Sequence, residues 1–218
     1  MSDSGRSRLE DLVRQHPTSE FAHTLLNAFH HFVALGPNFH YGCGSYLIDG
    51  QSYMYEPRSF KKQEALFRAG KTATSVLEIG VYLGHSLLIL LLSNPTLQIT
   101  CIDNDPTFTP AAVTYLNAHF GNRIRFFLGT SQEILMSNHS IGPFDCIHID
   151  ADHRIEAVQQ EFALTRPLAA PGATFVFDDY EAIRIVVDSL VSRGLLQSIE
   201  TPWCLWTNTI TRLKSESS

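Results

Sequence analysis

The chain lacks a long hydrophobic run, a cysteine pattern suited to metal, and any excess of positive charge. Its longest apolar stretch, Leu87–Leu92, falls far short of the roughly 20 residues that a membrane-spanning helix needs. There are 4 cysteines, Cys43, Cys101, Cys146 and Cys204, and no two stand at a CxxC spacing. Cys101 and Cys146 lie inside apolar runs and read as small buried hydrophobes in a reduced compartment. The formal net charge is −6, which argues against nucleic acid as the main partner, because phosphate binding needs a basic face. The polar N-terminus MSDSGRSRLEDLVRQ offers no signal-peptide core. No repeat or low-complexity block interrupts the chain. The expectation is a soluble, cytoplasmic protein that binds neither membrane nor nucleic acid.

What is present fits one core-forming unit. The 218 residues are 44% hydrophobic and 17% charged, a balance suited to one domain with a smaller N-terminal extension. The extension is expected over residues 1–70 and the main domain over 71–218. Residues through about Arg8, and again 214–218, read as frayed. Apolar residues recur at helical spacing between Thr18 and Leu35 (Phe21, Leu25, Ala28, Phe29, Phe32). Thr18 or Ser19 is the expected N-cap, with Gly36-Pro37 as the stop. Residues 38–55, rich in Gly, Tyr, Phe and His, have no clean period and read as irregular loop. A further helix is expected over Ser59–Gly70, closed by Gly70.

From Ser75 onward, short apolar runs alternate with helical segments. The runs cover 75–79, 97–103, 124–128, 144–150 and 174–178. Each is short, β-branched or aromatic, and apolar through most of its length, as strands buried on both faces of a parallel sheet are. Helices are expected over 85–92, 109–120, 131–137, 154–166 and 180–193. That alternation predicts an α/β fold: a Rossmann-like, doubly wound sheet with helices on both faces. The run 203–210 would add an edge strand or a terminal hairpin.

In such a sheet, ligands collect beyond the C-terminal ends of the strands. The first run ends in Glu78-Ile79-Gly80-Val81-Tyr82-Leu83-Gly84, and His85-Ser86 opens a helix. The glycines allow a tight turn, and the helix N-terminus offers N–H groups to an anion. Neither the dinucleotide loop G-x-G-x-x-G nor a P-loop is present, so a bound pyrophosphate is disfavoured. Asp103, about twenty residues on, can accept the hydroxyls of a ribose or serve as a loop aspartate beside Asn104-Asp105-Pro106. Ser131 and Gln132 can reach an adenine edge, or Ser131 can cap its helix near Glu133. Asp150 ends the fourth run, and Asp178 and Asp179 end the fifth. On neighbouring strands these three carboxylates would converge, and a hard divalent cation such as Mg²⁺ would relieve their repulsion. The alternative is that they cap the helices that follow. Asp152 and His153 are placed to act as a base, although His153 reads equally well as a solvated side chain. His30 and His31 read as helix surface or filler. His40, with Tyr41, Tyr46, Tyr53 and Tyr55, either folds over the site or packs as ordinary loop. Trp203 and Trp206 either wall the pocket or fill an edge.

LEIGVYLGHSLL (77–88) resembles the first motif of class I S-adenosylmethionine (SAM) methyltransferases, above all the catechol and caffeoyl-CoA O-methyltransferases. ITCIDNDP (99–106) resembles their acidic second-strand motif, and GTSQEIL (129–135) the catechol enzymes' adenine-binding segment. HIDADH (148–153) and FDDY (177–180) are similar to motifs shared with macrocin-type sugar O-methyltransferases. The resemblance spans Ser75–Tyr180 and implies a mostly parallel, seven-stranded sheet. It implies SAM as cofactor: Glu78 and backbone near Gly80 on the amino end, Ser86 by the carboxylate, Asp103 on the ribose, and Ser131 and Gln132 at the adenine. Tyr82, Gly84 and Asp150 complete the cofactor set. It also implies a metal on Asp150, Asp178 and Asp179 that orients two vicinal hydroxyls of a small-molecule acceptor. Two departures stand out. The catechol enzymes have a lysine where this chain has His153, and Asp-Asn where it has Asp178-Asp179. The expected function is therefore a metal-assisted O-methyltransferase acting on a small-molecule hydroxyl. The alternatives are an amine- or macromolecule-directed methyltransferase and a non-catalytic SAM-binding protein. The apolar N-terminal helix would pack on its own domain or on a second copy in a homodimer.

Overall fold

A computed structural model describes residues 3–29, 46–48, 55–137, 141–202 and 207–214. The expectations for Gly36-Pro37, His30, His31, His40, Tyr41, Cys43, Tyr53, Trp203, Cys204 and Trp206 lie outside these residues.

The helices are α1 (Asp3–Gln15), α2 (Glu20–Asn27), α3 (Phe60–Lys71), α4 (His85–Ser93), α5 (Thr109–Phe120), α6 (Ser131–Ser137), α7 (Ile155–Thr165) and α8 (Tyr180–Ser192). The strands are β1 (Ser75–Ile79), β2 (Gln98–Asp103), β3 (Ile124–Leu128), β4 (Phe144–Ile149), β5 (Ala169–Phe177), β6 (Leu196–Glu200) and β7 (Thr209–Leu213). They form one sheet in the order β3-β2-β1-β4-β5-β7-β6. All neighbours from β3 to β5 pair in parallel, and β7 runs antiparallel to both β5 and β6. The doubly wound expectation holds, with the strand order reversing between β1 and β4.

Period-2 alternation divides the core in two. Val76, Cys101, Cys146 and Val176 face α1 to α5, whereas Leu77, Ile79, Ile147, Ile149, Phe175 and Phe177 face α6 to α8. Helix α4 (HSLLILLLS) is apolar nearly all round, and eight of its nine residues are buried. A helix of that kind needs cover on every side. The sheet supplies one side, and α2 and α3 supply another.

Several sequence expectations are corrected here. The N-terminus is not frayed to Arg8: α1 starts at Asp3, and its Leu9 and Leu12 are buried in the first core. Ser19, not Thr18, caps α2, with its hydroxyl accepting from the Ala22 N–H. Gly70 does not close α3. It lies inside the helix, where a Cβ would stand 2.4 Å from Ser93 Oγ, so the residue is small because α3 and α4 touch there. Strand β3 is at the sheet edge and half exposed rather than covered on both faces. The C-terminal pair is a hairpin, but its second strand begins at Thr209 and lies inside the sheet, with β6 at the edge. The β6 sequence LQSIE carries too little apolar character to announce itself. Among the described residues, no helix is long and apolar enough to cross a membrane.

Candidate active site

The same alternation that builds the core sets up the site. Glu78, His148 and Asp178 continue the even-numbered face of β1, β4 and β5, and Glu78 stands opposite His148 in the sheet register. That face is the one covered by the N-terminal helices. Polar residues at the strand tips therefore meet side chains from α3 and from residue 46.

A cleft of about 580 Å³ opens at the C-terminal ends of β1, β2, β4 and β5. Gly80, Tyr82, Ser86, Asp103, Ser131, Gln132, Asp150, Asp152, His153, Asp178 and Asp179 all line it. Glu78 and Gly84 stand behind its wall. The Gly84 Cα hydrogen faces α5, where a Cβ would lie 3.0 Å from the Ala112 Cβ. Gly84 thus lets two helices pack and does not itself line the cleft. Gly80 has φ +86, and a Cβ there would fall 2.1 Å from the Asp150 carbonyl oxygen. Tyr82 also adopts positive φ (49°), a costly conformation for a non-glycine residue. Its ring meets Phe108 edge-on at 5.4 Å.

Asp103 holds that turn in place. Its Oδ2 accepts from the Val81 N–H (2.6 Å) and the Tyr82 N–H (2.8 Å), and its Oδ1 from the Asp105 N–H (2.7 Å). A carboxylate has about four lone-pair positions, so acceptor capacity remains for hydroxyls in the cleft. Asp103→Ala is expected to weaken S-adenosylhomocysteine (SAH) binding by about tenfold or more and to cost about 1–3 kcal/mol of stability, because three loop N–H groups lose their acceptor. Calorimetry and urea denaturation read the two effects, and unchanged binding would remove Asp103 from the site.

On the far wall, the helix cap of α6 is Thr130 rather than Ser131. Thr130 Oγ1 accepts from the Glu133 N–H (3.2 Å), and Glu133 Oε2 accepts in return from the Thr130 N–H (3.3 Å) and hydroxyl (2.7 Å), a capping box. Ser131 is thereby released, and its hydroxyl donates to Glu161 Oε1 (2.9 Å). Glu161, from α7, is buried, and its Oε2 has no hydrogen-bond partner. Burial pushes its carboxyl up to about 7, with Ser131 pulling the other way.

The strand-tip acids do not cap helices. Asp179 stands at the N-cap of α8 with φ 45 and makes no cap bond. Its Oδ2 instead takes His153 Nδ1 at 2.9 Å, and its Oδ1 lies 3.4 Å from Lys62 Nζ. Asp178 is buried. Lys62 Nζ lies 2.8 Å from its carboxylate, and the Tyr46 hydroxyl donates to Oδ1 at 2.7 Å. Burial and the neighbouring Asp150 push the Asp178 carboxyl up to about 8, against the pull of Lys62. Lys62 keeps its proton: burial works against the charge, but Asp178, Asp150 and Asp179 outweigh it and raise its pKa.

A buried chain runs back from there. Tyr46 OH lies 3.1 Å from His148 Nε2, and His148 Nδ1 lies 3.2 Å from Glu78 Oε1. Tyr46 gives its own proton to Asp178, so its hydroxyl oxygen accepts from His148 Nε2. Burial alone would lower the His148 pKa, but Glu78, Asp150 and Asp178 raise it above the ordinary value. Glu78 is wholly buried. Its Oε2 makes no hydrogen bond of acceptable geometry, although the Ser86 hydroxyl is near enough to draw the carboxyl down against its burial.

The two expected bases fare differently. Asp152 Oδ2 takes the Arg154 guanidinium at 2.5 and 2.7 Å, its Oδ1 takes the Arg154 N–H at 2.9 Å, and these bonds hold its carboxyl below the usual range. It is a poor proton acceptor. His153 is oriented by Asp179 through Nδ1, and its buried Nε2 has no hydrogen-bond partner. The nearest carboxylate oxygen, on Asp150, lies 3.6 Å away, beyond hydrogen-bond reach. Asp150 and Asp179 raise the imidazole well above its ordinary value, toward about 10.

The residues that sequence reasoning missed are Lys62, His148 and Glu161. Lys62 reads as the polar face of an amphipathic helix, His148 as strand filler and Glu161 as helix surface. Their burial follows from packing between elements distant in sequence, which no local signal reports. The metal expectation meets an obstacle in Lys62. Among the described residues, the clusters of close ligand atoms are His148–Asp150–Asp178 and His153–Asp178–Asp179. In both, Asp178 is already matched to an ammonium and a phenol. As arranged, these donors do not fit a divalent cation.

Residues 77–180 match the family model described as a methyltransferase domain. The fold is similar to that of the O-methyltransferase TomG from Streptomyces achromogenes, solved in complex with SAM, at 19% identity and TM-score 0.61, covering 72% of this chain and 81% of that one. It is similar to an O-methyltransferase from Bacillus cereus in complex with SAH, at 17% identity and TM-score 0.62, covering 88% and 90%. An SAH-bound methyltransferase from Podospora anserina aligns at 15% identity and TM-score 0.62, covering 86% and 87%. The matched segment contains the glycine turn, Asp103 and every strand-tip acid described above, and the fold of the chain is the one these methyltransferases share.

Proposed function

We propose that this protein transfers the methyl group of SAM to a hydroxyl of a small molecule. The observation that carries the reading is the cleft itself: a glycine turn too tight for a side chain, an aspartate fastened beneath it, and an oriented histidine opposite, all at one end of a parallel sheet. In this reading the Glu78 carboxylate, behind the turn, faces the amino group of the methionine moiety. Ser86, at the N-terminus of α4, borders its carboxylate, where helix N–H groups favour an anion. Tyr82 and Asp103 border the ribose, and Asp150 lies between cofactor and acceptor. Ser131 and Gln132 border the adenine, and Glu161 Oε2 supplies an acceptor for its exocyclic amine. Glu161→Gln is then expected to weaken SAH binding about tenfold while leaving the 6-oxo analogue S-inosylhomocysteine unaffected or tighter. Equal losses for both would remove Glu161 from adenine recognition.

The acceptor hydroxyl must shed a proton as its oxygen attacks the sulfonium methyl carbon. His153 serves as the base. Asp179 holds the tautomer with Nδ1–H, which leaves Nε2 to accept. The imidazole must be neutral to do so. Because its pKa is raised, the rate is expected to climb with pH from neutrality toward about 10. A plateau near 6.5, the unperturbed histidine value, or an unchanged profile in His153→Gln would dismiss His153. Tyr46, in the cleft wall, supports an acceptor side that draws on the N-terminal extension, and the acidic balance of the chain disfavours a polyanionic acceptor.

Calorimetry with SAH, followed by label transfer from methyl-labelled SAM to panels of hydroxyl and amine acceptors, tests the reading. SAH binding with transfer to hydroxyls alone is expected. No binding at millimolar SAH would end it, and transfer to amines alone would redirect it.

A further inference from the structure

The acids expected to hold a metal carry a cation that belongs to the chain itself. Lys62 comes from α3, outside the segment that carries the methyltransferase match, and its side chain is 7% exposed. Its Nζ sits 2.8 Å from the Asp178 carboxylate, 3.4 Å from Asp179 Oδ1 and 4.5 Å from the centre of the Tyr46 ring. The position is fixed from behind: the Lys62 carbonyl accepts from Asn208 Nδ2 at 3.2 Å, and the neighbouring Gln63 bonds the Tyr46 carbonyl. An ammonium held on three sides is a built feature, because a lysine is almost never buried unless paired. Magnesium demands near-octahedral oxygen donors at about 2.0–2.1 Å. An ion bound to the Asp178 and Asp179 oxygens would stand within a few ångströms of a fixed positive charge and would have to displace the hydrogen bonds those oxygens already make.

We propose that Lys62 replaces the divalent metal: its ammonium is the resident countercharge of the Asp150–Asp178–Asp179 cluster, and methyl transfer in this chain is metal-independent. It follows that the acceptor needs no pair of adjacent oxygens to chelate an ion. A single hydroxyl within reach of His153 Nε2 suffices. The second consequence rests on the methyltransferase reading above. The first does not, since it concerns cation binding alone.

The test is an electron paramagnetic resonance titration of the full chain with Mn²⁺, with SAH calorimetry on the same sample. Wild type is expected to leave the free Mn²⁺ signal intact up to about millimolar ion, and activity is expected to survive chelator unchanged. One tightly bound Mn²⁺ per chain, or activity that chelator removes and Mg²⁺ restores, overturns the proposal. Lys62→Ala, checked for folding by circular dichroism, is expected to gain Mn²⁺ binding at least tenfold over wild type. A folded Lys62→Ala that gains none overturns the claim that Lys62 is what excludes the ion. Lys62→Gln, which retains a donor to Asp178, replaces it if the alanine variant does not fold, and the wild-type titration decides in either case. Absence of SAH heat would instead sink the methyltransferase reading and leave the Mn²⁺ result standing. Monohydroxyl and vicinal-diol acceptors methylated within about threefold of each other are expected. A strict requirement for the diol goes against the proposal.

Discussion

Gly80→Ala is expected to abolish cofactor binding, weakening SAH by at least about 100-fold, and to cost about 3 kcal/mol or more of stability. The reason is steric and leaves no room for adjustment. The added Cβ would stand 2.1 Å from the Asp150 carbonyl oxygen, 2.5 Å from its carbon and 2.7 Å from the Ala151 Cα. All three are backbone atoms, so no rotamer can yield. Neither strand tip can retreat cheaply, because the Gly80 N–H donates to the Ile102 carbonyl (3.0 Å) and the Asp150 N–H to the Ile79 carbonyl (2.8 Å). Gly121→Ala is the control. Gly121 has a similar φ of +81, but a Cβ there meets nothing within 4 Å. It should cost only about 1 kcal/mol, the penalty for a left-handed alanine, and leave binding intact. Urea denaturation and calorimetry on both variants separate the two causes. Equal costs would show that backbone conformation, not contact, is what Gly80 supplies.

Lys62→Met is the second large effect. It should destabilise the protein by about 3–5 kcal/mol, the cost of stranding a buried carboxylate by removing its partner. Asp178 would be left at the bottom of the cleft beside Asp150 and Asp179, with the Tyr46 hydroxyl as its remaining side-chain donor and His148 and His153 as the nearby groups able to carry positive charge. Adding Asp178→Asn to Lys62→Met should recover much of the loss, because the stranded charge goes with it. Non-additivity of about 2 kcal/mol or more in the double-mutant cycle is the expected signature. A cost below about 1 kcal/mol for Lys62→Met would mean that the pair behaves as a surface ion pair, contrary to its burial.

The parts of the fold that the sequence announces are those with strong local period. The strands at 75–79 and 124–128 and the helices at 109–120 and 131–137 match their expected bounds without change. Each couples an unbroken pattern to a clear stop, as where Gly121 takes up left-handed φ after α5. The misses have physical causes. Helix α1 hides because only Leu9, Leu12 and Val13 mark its apolar stripe in a polar stretch. Gly70 reads as a terminator because glycine commonly ends helices, yet here it accommodates Ser93 across a helix–helix contact. Gly84 closes the motif, and its missing side chain also makes room for Ala112, a packing role that the motif does not report.

The sequence by itself determined the doubly wound sheet, the glycine turn, and the order in which acids and hydroxyls arrive at the strand tips. Strand period and turn chemistry act over a few residues and can be read there. Only the tertiary structure decided what those acids are paired with. Lys62 precedes Asp178 by 116 residues, and Tyr46 lies 102 residues from His148 and 132 from Asp178. Charge balance in a buried cluster depends on which helix the sheet face happens to carry, and helical or strand periodicity says nothing about a partner that far away. The same packing separated His153, held by Asp179, from Asp152, held by Arg154. Two adjacent residues of equal promise in the sequence differ in the fold because one turns inward to a carboxylate and the other outward to a guanidinium.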